Sequence, residues 1–281
     1  MAACRAEHYV SCVMLFYDTH AHLDYPDFTE DLTQVVERAQ SAGITKIIAI
    51  GTDLESSKRV VELSQTFPAV YAAVGWHPTH VSSAPLDVRP ALRDLARQPK
   101  VVAIGETGLD YHHLPSQKAG FTSEDDERYK AKQRDIFRQQ LEVAHELGLN
   151  CVVHQRESFD DTAAQMEEFA GRVRGVFHCF AGDVRALKRV LAMGSMVSFT
   201  GILTFKNAQS VRDALAATPM DRFMLETDCP FLAPAPFRGK RCEPAYVKEI
   251  ANVAATVKQC SLPELSKATC STAEGFFRGL D

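Results

Sequence analysis

Two histidines separated by one residue, His20 and His22, close an apolar stretch that begins Leu15-Phe16-Tyr17. If that stretch is a strand, its side chains alternate faces and both imidazoles point the same way. Two imidazoles on one face can take neighbouring positions on one metal ion. An isolated pair of this kind is weak evidence, but the pattern recurs: later apolar runs end in Glu106, His154, His178 and Asp228. This mixture of nitrogen and oxygen donors suits Zn²⁺, Mn²⁺, Fe²⁺ or Co²⁺, whereas carboxylates alone would point to Mg²⁺ or Ca²⁺. Six such ligands exceed one tetrahedral site and match two ions that share a carboxylate. The expected division gives His20, His22 and Asp228 to one ion and His154 and His178 to the other, with Glu106 bridging. Glu106 and Asp228 are then the candidate catalytic carboxylates, with Asp228 as general base.

Other residues fall where they would assist. Glu226 lies two before Asp228 and Arg156 two after His154, so each is expected to share its partner's face. Glu226 suits the orientation of a ligand or a water, and Arg156 a bidentate grip on phosphate. His77, which ends another apolar run, is a candidate contact to phosphate or leaving group. Arg241, in the basic stretch Arg238-Gly239-Lys240-Arg241 beyond the last run, is a candidate phosphate contact. Trp76 is expected to pack at the rim rather than stack on bases. His8, His80, His112, His113 and His145 match no ligand position.

The elements that must carry these residues alternate regularly. Apolar runs near 15–22, 45–50, 70–74, 101–104, 150–153, 175–177, 195–199 and 222–225 read as strands. Helical patterns follow at about 29–42, with Thr29 as its cap, and at 54–66, 86–97, 124–147, 158–170, 183–193, 207–217, 244–258 and 262–277. The connection 111–123 reads as a long flexible loop over the site. Strict alternation implies parallel strands joined by right-handed crossovers, and eight units close into a (β/α)₈ TIM barrel whose strand C-termini share one rim. An open doubly wound sheet is the other arrangement, but it would normally carry a glycine-rich phosphate loop after strand one, where this chain has His-Ala-His.

At the level of motifs the chain resembles the TatD family of metal-dependent deoxyribonucleases. The resemblance rests on Asp18-Thr19-His20-Ala21-His22-Leu23-Asp24, Gly105-Glu106-Thr107-Gly108-Leu109-Asp110, His154-Gln155-Arg156, Phe177-His178-Cys179-Phe180-Ala181-Gly182 and Glu226-Thr227-Asp228-Cys229-Pro230-Phe231-Leu232, in that order. It runs from about residue 15 to 277. It implies an amidohydrolase-type TIM barrel, two divalent ions and hydrolysis of DNA phosphodiesters, with trimming from single-stranded 3′ ends. The metal ligands that it implies are His20, His22, Glu106, His154, His178 and Asp228. Cys242 stands where the family often has Asn, and the 111–123 loop looks longer than usual. The alternative is a small-molecule amidohydrolase, phosphoesterase or lactonase with a two-metal centre. Barrels of that type often bridge their metals with a carboxylated lysine at the end of strand four, where this chain has Glu106.

Composition sets the outer bounds. The 281 residues are 46% hydrophobic, enough for one large core, and carry a net charge of −5. That argues against a polybasic grip on nucleic acid, but not against a nuclease whose site is made positive by bound metal. No apolar run approaches the ~18 residues of a membrane span. None of the eight cysteines forms a Cys-x-x-Cys pair, and all are expected to be reduced, as in a cytoplasmic protein. Residues 1–14 read as a short extension and a poor targeting signal, with Met14 a plausible alternative start. Residues 15–281 read as one domain, with DNA as substrate, no membrane partner and a monomeric state.

Overall fold

The computed structural model describes residues 14–280. The expected extension therefore lies outside the described residues except for Met14, which packs against the core. Eight parallel strands form one sheet in sequence order: β1 (Phe16–Ala21), β2 (Ile44–Ile50), β3 (Val70–Val74), β4 (Val101–Asp110), β5 (Asn150–Arg156), β6 (Gly175–Phe177), β7 (Met196–Phe199) and β8 (Phe223–Leu225). The helices between them are α1 (Leu32–Ser41), α2 (Leu54–Thr66), α3 (Arg89–Ala96), α4 (Ser123–Leu147), α5 (Phe159–Glu168), α6 (Val184–Ala192) and α7 (Gln209–Ala217). Two more, α8 (Val247–Lys258) and α9 (Leu262–Phe276), end the chain. This is the expected TIM barrel.

The strands are apolar on both faces because each face is covered. Ile47 and Ala49 of β2 join the outer core between strands and helices, whereas Ile48 and Ile50 point into the barrel. The interior core also holds Val102, Val152, Val176, Met196 and Met224, and it is closed by Phe276, Phe277 and Leu280. The Arg278 amide donates to the Val102 carbonyl and the Asn150 side chain to the Phe276 carbonyl. Val102 and Asn150 lie at the starts of β4 and β5, so the end of α9 seals the N-terminal mouth of the barrel.

Two strands bulge where the sequence places candidate ligands. Asp18 pairs with Ile47 and Ala21 with Ala49, so three steps on β1 match two on β2. The same three-to-two mismatch separates Ile104 and Thr107 of β4 from Cys151 and Val153 of β5. A bulge bends the strand and re-aims a side chain; here the re-aimed stretches contain His20 and Glu106. Beyond its bulge β4 resumes pairing and runs to Asp110, well past the expected end near residue 104. Gly108 makes this possible: a Cβ there would sit 2.0 Å from the His154 carbonyl oxygen.

The barrel seam has no regular ladder between β8 and β1. The Asp228 amide donates to the His20 carbonyl and the His22 amide to the Cys229 carbonyl, both at 2.9 Å. Below them the buried Asp18 carboxylate takes the place of a backbone acceptor, receiving the Thr227 amide at 2.9 Å and the Thr227 hydroxyl at 2.6 Å. The seam thereby holds His20, His22 and Asp228 side by side.

Two further expectations change. Thr29 does not cap α1; it ends a short 3-10 turn, Pro26–Phe28, that buries Phe28. The helix starts three residues later behind Asp31. The 111–122 connection is fastened rather than loose: Ser116 donates to Asp126 through its amide and hydroxyl, and the His112 and His113 amides donate to Asp110. The described cysteines 151, 179, 229, 242, 260 and 270 are free; Cys4 and Cys12 lie outside the described residues.

The seam gives a stability prediction. Asp18→Ala leaves the Thr227 amide and hydroxyl buried without their acceptor, at about 1–3 kcal/mol for each unsatisfied group. Urea unfolding is expected to show that loss, and a smaller one in Asp18→Asn, which keeps an acceptor for the amide. An unchanged midpoint in Asp18→Ala would show that the seam does not depend on this carboxylate.

Candidate metal centre

Glu106 stands at the middle of the site. It is 2% exposed, and its two oxygens face two sets of nitrogens. Oε2 lies 3.3 Å from His20 Nε2 and 3.6 Å from His22 Nε2. Oε1 lies 2.9 Å from His154 Nδ1, 2.8 Å from His178 Nε2 and 3.3 Å from His77 Nε2. Asp228 Oδ1 completes the first set, 3.5 Å from His20 Nε2 and 3.4 Å from His22 Nε2. All six residues expected as ligands therefore meet at one mouth of the barrel, and His77 stands among them.

The spacing suits cation binding. A tetrahedral ion with bonds of about 2.0–2.1 Å holds its ligand atoms about 3.3 Å apart. The His20 and His22 Nε2 atoms are 3.3 Å apart, as close as either is to the carboxylates, and His154 Nδ1 lies 3.2 Å from His178 Nε2. Ring nitrogens that face each other without an intervening carbonyl or hydroxyl are satisfied together by a shared cation. This donor set fits a divalent metal.

Charge balance agrees with the geometry. Burial alone would raise the Glu106 carboxyl, but the neighbouring His178, His77 and His20 outweigh it and hold the group well below the usual carboxylate range. Asp228 is likewise held low: burial opposes ionisation, and hydrogen bonding to His22 with the charges of His20 and His178 overcomes it. Burial pushes His77 down to about 4, so this imidazole is neutral at physiological pH; its Nδ1 accepts the Thr79 amide at 3.1 Å, which leaves the proton on Nε2, facing Glu106 Oε1.

Around these groups the structure places the remaining expected residues. Glu226, buried, has Oε1 3.7 Å from His178 Nδ1, too far for a hydrogen bond, and accepts the Cys179 amide at 2.6 Å. Cys179 has a left-handed backbone, φ +48°, so Glu226 secures the unusual turn that directly follows His178. Asp228 is left-handed too, φ +58°. Arg156 ends β5 exposed, and its guanidinium makes no hydrogen bond or ion pair among the described residues. Arg241 is placed otherwise than expected. Its guanidinium forms a bidentate pair with Asp31, two contacts of 2.7 Å, and lies over the Phe28 ring. A phosphate would have to break that pair to reach it. Trp76 is buried and donates to the His80 carbonyl, a packing position.

Three residues at the site were not singled out from the sequence. Asp110 Oδ2 lies 3.2 Å from His154 Nε2; Glu106, Gly108 and Asp110 alternate along one strand, a parity signal that was available. Tyr25 stacks on His22 with centroids 4.7 Å apart. Phe231, half exposed, packs edge-on against both rings.

With this geometry in hand, comparison with known proteins gives one consistent answer. The family model described as TatD related DNase matches residues 17–278. A Bacillus subtilis protein described as the uncharacterized metal-dependent hydrolase YabD is 37% identical, covering 94% of this chain and 99% of its own. The 3′-5′ ssDNA/RNA exonuclease TatD of Pantoea vagans is 33% identical, covering 93% and 99%. The crystal structure of YjjV, a TatD homologue from Escherichia coli, superposes with a TM-score of 0.84 at 28% identity, over 94% of this chain and 98% of that one. The chain belongs to the TatD family of metal-dependent hydrolases.

Proposed function

We propose that the protein is a deoxyribonuclease that removes nucleotides from single-stranded 3′ ends, using two divalent ions at the barrel mouth. The observation that carries this reading is the division of Glu106, one oxygen toward His20 and His22 and the other toward His154 and His178. In this reading His20, His22 and Asp228 would hold one ion and His154 and His178 the other, with Glu106 offering an oxygen to each. Ions held there supply Lewis-acid polarisation of a phosphoryl oxygen and ease deprotonation of the attacking water.

The chain's own groups do the rest. Asp228 Oδ1 faces the histidines, while Oδ2 has no partner among the described residues and takes the proton of the attacking water. Glu226 keeps His178 in place through the Cys179 turn. Arg156, unpaired at the end of β5, grips a phosphate oxygen pair. His77 presents a neutral imidazole beside the scissile group. Tyr25 and Phe231 form an aromatic wall for the terminal base, a contact worth about 1–3 kcal/mol where bases stack on aromatic side chains. The name of the Pantoea relative supports a 3′ single-stranded substrate. The net charge of −5 fits binding confined to the end being cut rather than along a duplex.

Metal binding is tested without catalysis. Chelator-stripped protein given Zn²⁺ or Mn²⁺ at a hundredfold excess over Kd is expected to gain about 2.7 kcal/mol for each ion bound, or about 5–10 °C in Tm per ion. Glu106→Gln is expected to lose most of that gain; an equal gain in the variant would remove Glu106 from the centre. For activity, metal-loaded protein is expected to shorten single-stranded oligonucleotides from the 3′ end, with kcat lowered about 10²–10⁴-fold in Asp228→Asn. Arg156→Ala is expected to raise KM about 10-fold or more, the worth of a charged hydrogen bond. Intact oligonucleotides beside turnover of a lactone, amide or small phosphoester would move the assignment to a small-molecule hydrolase.

A further inference from the structure

Asp110 ends β4 and is 1% exposed, yet it lies outside the donors grouped around Glu106. Its Oδ1 accepts the backbone amides of His112 and His113, each at 2.9 Å. Its Oδ2 faces His113 Nδ1 at 2.9 Å and His154 Nε2 at 3.2 Å. The backbone of Asp110 is itself clamped: the buried Gln133 side chain accepts its amide and donates to its carbonyl, both at 2.9 Å. A carboxylate fixed from so many sides is not a passive neighbour of His154.

An ionised carboxylate only accepts hydrogen bonds. The ring nitrogen that faces Asp110 must therefore carry a proton, and in the neutral imidazole that ligates a cation the other nitrogen then carries the lone pair. That other nitrogen is His154 Nδ1, the atom 2.9 Å from Glu106 Oε1 and 3.2 Å from His178 Nε2. The geometry points to Asp110 as a positioning residue that holds His154 in its Nε2–H tautomer, keeping the Nδ1 lone pair directed at the second cation, while the same carboxylate fastens the start of the 111–122 loop. This inference rests on the reading of His154 as a ligand. Carboxylate partners of this kind orient ligating imidazoles, and their loss commonly weakens metal affinity 10–100-fold.

Asp110→Asn separates this role from packing. The asparagine oxygen still accepts the two loop amides, but its NH₂ now confronts His154 Nε2 and favours the opposite tautomer. Stripped full-length protein is titrated with Zn²⁺ by calorimetry, and the His154 ring nitrogens of the Zn²⁺-loaded protein are read from long-range ¹H–¹⁵N spectra, since without metal the ionised Glu106 also calls for a proton on Nδ1. Wild type is expected to take two equivalents with His154 protonated on Nε2 alone. Asp110→Asn is expected to keep one equivalent at wild-type affinity, bind the second about 10–100-fold more weakly, and, at a Zn²⁺ concentration that just fills the wild-type sites, show His154 still protonated on Nδ1. His113→Ala, which loosens the loop and leaves Asp110 facing His154, is expected to retain both equivalents. Unchanged affinities and tautomer in Asp110→Asn would overturn the inference, as would an equal loss in His113→Ala. Wild type taking one equivalent would sink the two-ion reading, and the tautomer in the two proteins would still decide the role of Asp110. Should Asp110→Asn not fold, wild-type His154 protonated on Nδ1 alone overturns it.

Discussion

The structure turns on a buried carboxylate that has to be neutralised from several directions at once. Glu106 sits 2% exposed, with imidazole nitrogens from β1 and β5 and from the residues after β3 and β6 arranged around its two oxygens. No single neighbouring strand can supply that many donors. A closed barrel can, because it brings strand ends that are distant in sequence to one rim. An isolated carboxylate in such a place would be strongly disfavoured, and burying it only makes sense if compensating groups converge there. The bulge in β4 and the left-handed residues Cys179 and Asp228 are local departures from regular backbone that aim side chains at this one point. Such departures persist where the surrounding structure over-determines them.

The seam between first and last strands is the second half of the same arrangement. His20 and Asp228 belong to opposite ends of the chain, and it is the Asp228 amide on the His20 carbonyl that places them side by side. Asp18 adds a side-chain acceptor where a regular ladder would have a backbone one. Barrel closure and assembly of the site are therefore one event, and the stability of the fold and the integrity of the donor cluster are tied to the same few hydrogen bonds.

The barrel and its rim were legible in the sequence because strands one, four, five, six and eight each end an apolar run in a His, Glu or Asp, and because helical patterns fill the stretches between the runs. The convergence of His20, His22, Glu106, His154, His178 and Asp228 followed from that alternation. What stayed hidden depended on tertiary contact. Gly105 read as the end of the fourth strand, yet β4 continues because close approach to β5 at His154 is open to Gly108. Arg241 looked free because its partner, Asp31, is 210 residues away along the chain. Thr29 looked like a cap because burial of Phe28 in a preceding turn cannot be read from local propensity. Asp110 belonged to a recognised motif, but its bond to His154 required knowing how β4 and β5 are registered.

Phe276, Phe277 and Leu280 fill the inner end of the barrel, although they lie beyond all eight strands in the chain. Without them the apolar lumen lined by Ile48, Ile50, Val102 and Val152 would stand open to water at one end. The dryness of the cylinder therefore depends on a stopper made of residues that belong to no strand.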